Sequence, residues 1–235
     1  MFGQQGSRVR LEWGGEGVAA LGEQCAVLVV VDVLSFSTAV DVAVGRGAEV
    51  RPVTWSDRAA VPPSRWNLRP SSLVDVPAGA VVELPSPNGA TLCGLAAGTG
   101  ATVLVGCLRN AEAVARAAGA IAGDRPIGVV PAGERWGVGI AADASGGPLR
   151  PSAEDLLGAG AVVASLREHG PLSVEADLAA GVFERAAVAE FLAGCVSGRE
   201  LAAAGHAADV ALAGEVGASR AVPVLADGVL TDLAR

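Results

Sequence analysis

Short runs rich in apolar, β-branched residues alternate along this chain with longer stretches in which small apolar residues recur at helical spacing. The short runs predict strands over 8–12, 25–31, 49–53, 81–84, 102–106, 127–132 and 222–225. The periodic stretches predict helices over 37–44, 90–97, 111–122, 153–169, 176–192, 199–204 and 209–215. Such alternation of strand and helix points to an α/β fold on a mixed, largely parallel sheet. Two stretches are expected to be loops. Pro62, Pro63 and Pro70 keep 61–70 out of regular structure, and 134–151 is rich in Gly. No break in composition marks a linker, so 1–235 read as a single domain.

Composition narrows the possible functions. Apolar residues make up 51% of the chain, but the densest run, 26–31, falls far short of the roughly 20 residues that cross a bilayer. The first residues lack the basic cluster and apolar stretch of a secretion signal, and a cytoplasmic protein is expected. A net charge of −8 argues against nucleic acid or an anionic membrane as partner. A small anion can still be held by a local Arg, a metal ion or backbone amides. The high apolar fraction leaves room for a homo-oligomer. All 17 basic residues are Arg, and there is no Tyr, which removes a Lys Schiff base and a Tyr acid from the options. Cys25, Cys93, Cys107 and Cys195 are too scattered for a zinc site and read as core residues. His169 ends a helical pattern and His206 follows Gly205 among alanines, so neither suggests a catalytic triad.

Candidate chemistry lies where strands end. Asp32 follows a strand that reads as buried on both faces, and Ser35, Ser37 and Thr38 then open a helix. A carboxylate there can hold Mg²⁺, and the hydroxyls and free amides of the helix start can hold a phosphate; turn and helix capping would use the same residues. Ser86 and Asn88 stand between a strand and a helix, where Asn88 either reaches across the sheet end or makes a plain Asn-Gly turn. Arg109 can clamp an anion or lie in solvent, and Asn110 suits an N-cap, with Ser86 and Asn110 also candidates for phosphate binding. Glu134 lies past another strand end. Asp155 shares a helical stripe with Ala159, Val162 and Leu166 and therefore faces inward, although Ser152 and Asp155 also resemble a capping box. Glu154 points about 100° away from Asp155, so one of the two is expected at the centre. Ser197 and Arg199 are further candidates for phosphate binding, with Ser197 also a potential cap.

The order of these motifs resembles the 2-phosphosulfolactate phosphatase (ComB-like) family over nearly the whole chain. The matching pieces are VVVDVLSFSTA around Asp32, NLRPSSL (67–73), SPNGATL (86–92), VLVGCLRNAEAVA (103–115), AGERW (132–136), PSAEDLLGAGAVV (151–163), CVSGREL (195–201) and VPVLADG (222–228). The resemblance implies a three-layer α/β/α fold. It also implies Mg²⁺-dependent hydrolysis of a phosphate monoester on a small sulfonated hydroxy acid, a step in making coenzyme M. Asp32, Asn88, Glu134 and Asp155 carry over as site candidates, with Asp32, Glu134 and Asp155 as metal ligands. Asp32 could attack phosphorus or only hold metal and position water. Two features depart from the family pattern. Ser35 stands where Arg is common, and Pro62-Pro63-Ser64-Arg65-Trp66 stands where a G-E-R-G-G stretch is common. Arg65, Arg69 or Arg109 could replace the lost anion-binding capacity; without it, the chain would bind a phosphorylated or sulfonated acid and not hydrolyse it.

Overall fold

The computed structural model describes residues 4–137 and 147–234. Its elements run β1 (Val9–Leu11), α1 (Gly14–Leu21), β2 (Val27–Val31), α2 (Phe36–Gly45), β3 (Glu49–Thr54), β4 (Val81–Ser86), α3 (Gly89–Ala97), β5 (Thr102–Gly106), α4 (Ala111–Ala122) and β6 (Ile127–Pro131). There follow the short pair β7 (Glu134–Arg135) and β8 (Leu149–Arg150), then α5 (Ala153–Ser165), α6 (Val174–Arg185), α7 (Val188–Gly194), α8 (Val196–Ala203) and α9 (Ala207–Ala213). A terminal hairpin, β9 (Pro223–Ala226) and β10 (Val229–Asp232), completes the order. No helix among the described residues is long and apolar enough to cross a membrane.

The main sheet has the order β1-β6-β2-β5-β9-β10-β3-β4. β1, β6, β2 and β5 run parallel to one another, as do β3 and β4; the β9–β10 hairpin joins the two groups by antiparallel pairing. The fold is therefore three-layer α/β/α on a mixed sheet, as the motif order implies. β2 shows why. Val27, Val29 and Val31 enter the core beneath α4, α5 and α6, while Leu28 and Val30 enter the core beneath α1, α2 and α3. A strand buried on both faces needs no alternation of polar and apolar residues, which is why β2 reads as one unbroken apolar run.

β3 and β4 run nominally opposite to β2. β4 lies five places from β2 in the strand order, but α3, which follows β4, also packs against β2. The end of β4 thereby reaches the end of β2, and Ser86 stands against Asp32.

The differences from the sequence reading have local causes. The helix expected over 153–169 stops at Ser165 and is followed by a 3₁₀ turn, Arg167–His169, before Gly170 at φ 128°. The helix expected over 176–192 is two helices, because Ala186 and Ala187 are extended. α1 was not predicted, since Gly14, Gly15 and Gly17 lower its helix propensity. Gly17 is needed there, for a Cβ would lie 2.5 Å from the Glu12 backbone. β10 was also not predicted, although Asp227-Gly228, both at positive φ, gives the hairpin signal that precedes it. The loop expected over 134–151 contains the β7–β8 ribbon; its part 138–146 lies outside the described residues.

Candidate active site

Asp32 leaves the end of β2 only 5% exposed. Its Oδ2 accepts the Gly89 amide at 2.8 Å and lies 3.5 Å from the Ser86 hydroxyl, and its Oδ1 faces the Phe36 amide at 3.4 Å. Phe36 opens α2 and Gly89 opens α3, so this carboxylate sits where two helix N-termini converge. Gly89 is required for the approach: a Cβ would lie 2.3 Å from the Phe36 ring and 2.8 Å from Asp32 Oδ2.

The turn between β2 and α2 is fixed from within. Ser37 Oγ accepts the Asp32 amide at 2.9 Å, and Thr38 Oγ1 donates to the Val33 carbonyl at 2.8 Å. Both residues are completely buried, so the phosphate-binding role read for Ser37 and Thr38 is corrected to a structural one. Ser35 and Ser86 do line the cleft that opens over Asp32. This cleft has a volume of about 550 Å³.

Across the cleft, Glu134 Oε2 accepts from Asn88 Nδ2 at 3.0 Å. Asn88 thus reaches over the sheet end and is more than a turn residue. Asp155 has a different position from the one expected. Its Oδ1 accepts the Val33 amide at 2.7 Å, and its Oδ2 accepts the Gly133 amide and the Ser152 hydroxyl at 2.8 and 2.9 Å. Both oxygens pin the loop after β2 to the loop after β6 and Asp155 does not line the cleft, so the metal-ligand role read for it is corrected to a positioning one. Its neighbour Glu154, 2% exposed, lies behind the cleft wall and accepts a short hydrogen bond from Ser197, which lines the cleft.

The crowding of acids has an electrostatic signature. Burial pushes Asp32 up to about 6, against the lowering effect of the Gly89 and Phe36 amides, and the charge of Glu154 adds to the rise. Burial, then the charge of Asp32, pushes Glu134 up to about 7, with Asn88 opposing. Asp155 is raised well above the usual carboxylate range by burial, then by the charges of Asp32 and Glu154. Carboxylate oxygens gathered at such a cost suit a hard divalent cation. Among the described residues, no three of His, Cys, Asp and Glu form a ready-made ion cage. Mg²⁺ does not need one, because it is commonly held by one or two carboxylates together with water and substrate phosphate. The donor set fits in kind.

The other expected residues lie elsewhere. Arg109 donates to Asp41 at 2.9 Å, to Glu215 and to the Leu212 carbonyl, and it lines a separate cleft with Asp41. Its catalytic role at Asp32 is therefore corrected. Asn110 accepts the Cys107 amide at 2.8 Å and donates to the Val105 and Ala221 carbonyls, which closes the turn between β5 and α4. Arg199 is exposed on α8, outside the cleft. The arginines that do line the cleft are Arg69, Arg135 and Arg150, and His206 lines it too, contrary to the sequence reading. Arg69 falls within NLRPSSL and Arg135 within AGERW, so the motifs contained the signal.

A family model described as 2-phosphosulpholactate phosphatase matches residues 53–228. No curated protein matches the chain. Glu134, Glu154 and Asn88 lie within the matched segment, whereas Asp32 precedes it and is brought to it by the fold.

Proposed function

The chain belongs to the 2-phosphosulpholactate phosphatase family, and from that premise we propose that it hydrolyses the phosphate monoester of a small hydroxy acid, in a Mg²⁺-assisted reaction centred on Asp32. One observation carries the reading. A buried carboxylate lies where the N-termini of α2 and α3 meet, among further acids, in a cleft lined by guanidinium groups.

Each group has work to do at a phosphoryl centre. The N-terminal ends of α2 and α3 favour negative charge through their dipoles, and Ser35 and Ser86 line the cleft beside them with hydroxyl groups. Arg69, Arg135 and Arg150 supply the positive charge that an acidic protein must concentrate locally to hold an anion. Glu134, raised to about 7 by burial when no metal is bound, gives up its proton to offer a carboxylate oxygen to a cation, while Asn88 fixes its orientation. Mg²⁺, held by Asp32 and Glu134 with water and phosphate oxygens, would supply charge neutralisation on the phosphoryl group. Asp155 acts at a distance by keeping the two loops in register.

Phosphate release from an ester panel, with and without Mg²⁺, tests the reading. Asp32→Asn is expected to lose about 100-fold or more in kcat/KM while keeping a native circular-dichroism spectrum. Activity at the wild-type level in that variant would remove the proposed centre. Ester binding with no phosphate release would make the chain a non-hydrolysing relative.

A further inference from the structure

The cleft over Asp32 is wider and more aromatic than a three-carbon, doubly acidic ester requires. Its volume of about 550 Å³ lies in the range of roughly 300–1,000 Å³ that accommodates drug-sized ligands. Trp55 and Trp136 both line it. The Arg58 guanidinium lies 4.6 Å from the Trp55 ring centre and the Arg150 guanidinium 5.6 Å from that of Trp136, so each indole is braced by a cation. Leu34, Leu68 and Leu201 continue the apolar wall. Trp136 is nonetheless 59% exposed, a large aromatic surface facing water beside the reacting groups.

The charged groups could argue for a second strong anion on the substrate. Existing contacts of two of the three cleft arginines weaken that case, and Arg135 is left to meet a carboxylate. Arg150 is engaged with Trp136, and Arg69 is turned toward Asn67, whose Oδ1 accepts from its Nε at 3.3 Å. The phosphate and the carboxylate of a hydroxy acid already call on the guanidinium groups. A sulfonate placed against indoles and leucines would be desolvated without partners, whereas a ring there buries apolar area on both sides.

We propose that the ester taken by this cleft is the phosphate of a 2-hydroxy acid bearing an aromatic side chain, with the ring against Trp55 and Trp136 and the carboxylate met by the cleft arginines. This inference rests on the phosphatase reading above. The test compares 2-phospho-3-phenyllactate with 2-phospho-3-sulfolactate, which share the carboxylate and the position of the phosphate ester and differ only in the group on C3. Phosphate release with Mg²⁺ gives kcat/KM for each, and titration calorimetry gives each Kd. The phenyl ester is expected to be preferred by about tenfold or more. Trp55→Ala and Trp136→Ala are each expected to lower the phenyl-to-sulfo ratio roughly tenfold, mainly through KM. A sulfo ester turned over equally well or better, or a ratio that neither variant moves, overturns the inference. If neither ester releases phosphate, the phosphatase reading fails by itself. The Kd values then decide the side-chain preference: tighter phenyl-ester binding sustains it, and equal or weaker binding overturns it.

Discussion

Gly89 and Asp155 are the residues on which the site's geometry turns. Gly89→Ala would press a methyl group into the Phe36 ring and against the Asp32 carboxylate, where no flexible neighbour can yield. The expected outcome is a loss of about 1–3 kcal/mol in a denaturant melt, together with loss of phosphatase activity. Asp155→Asn would turn an amide NH₂ toward donors that need an acceptor, because both carboxylate oxygens already receive hydrogen bonds. It should cost about 2–4 kcal/mol in the same measurement. A metal ligand without structural duty would instead give a stable protein with weakened Mg²⁺ dependence. Asp32 could be picked out in sequence because an acid directly after an all-apolar strand needs a partner. The choice between Glu154 and Asp155 could not be made there. Helical geometry sets them about 100° apart, and the apolar stripe selects Asp155 as inward-facing, but inward here means toward loop amides and not toward the cleft. Of the cleft arginines, Arg69 and Arg135 fall within motifs that mark them, whereas nothing local separates Arg150 from the other arginines.

Among the elements, β5 and α4 follow their predicted bounds, Thr102–Gly106 and Ala111–Ala122, because apolar period and local propensity agree there. The break between α6 and α7 has no such signal. No Gly or Pro marks Ala186 and Ala187, and the chain turns there because α6 packs on α5 while α7 adjoins α8 and α9. That packing of α5 on α6 depends on a small residue. A Cβ on Gly160 would lie 2.1 Å from the Ala179 carbonyl oxygen, so Gly160→Ala should force the two helices apart. A loss of about 2–3 kcal/mol is expected, with greater amide exchange confined first to α6.

For the molecule as a whole, the raised acids set a pH dependence. Asp32 and Glu134 bind protons more tightly in the folded chain than in the unfolded one, with values of about 6 and 7 against ordinary values of 3.8 and 4.5. Their contribution to stability is complete below about pH 4 and is lost as pH rises through 6 to 7. Metal-free protein should therefore melt at a lower temperature at pH 8 than at pH 5.5, as far as these groups decide it. Glu134→Gln should reduce that difference, and Mg²⁺ should raise the melting temperature most at pH 8. A melting temperature that rises steadily with pH, unchanged by Glu134→Gln, would show that burial does not hold these acids above their ordinary range.

The β9–β10 hairpin has a consequence for the order of assembly. The parallel group β1, β6, β2 and β5 uses segments complete by residue 131, and β3 with β4 is complete earlier still. Neither group touches the other in the sheet until residues 223–232 slot between them. On a ribosome, then, the sheet would stand as two groups until residues 223–232 have been made, with α3, which adjoins β2 as well as β3 and β4, already bridging them and bringing the Gly89 amide to Asp32.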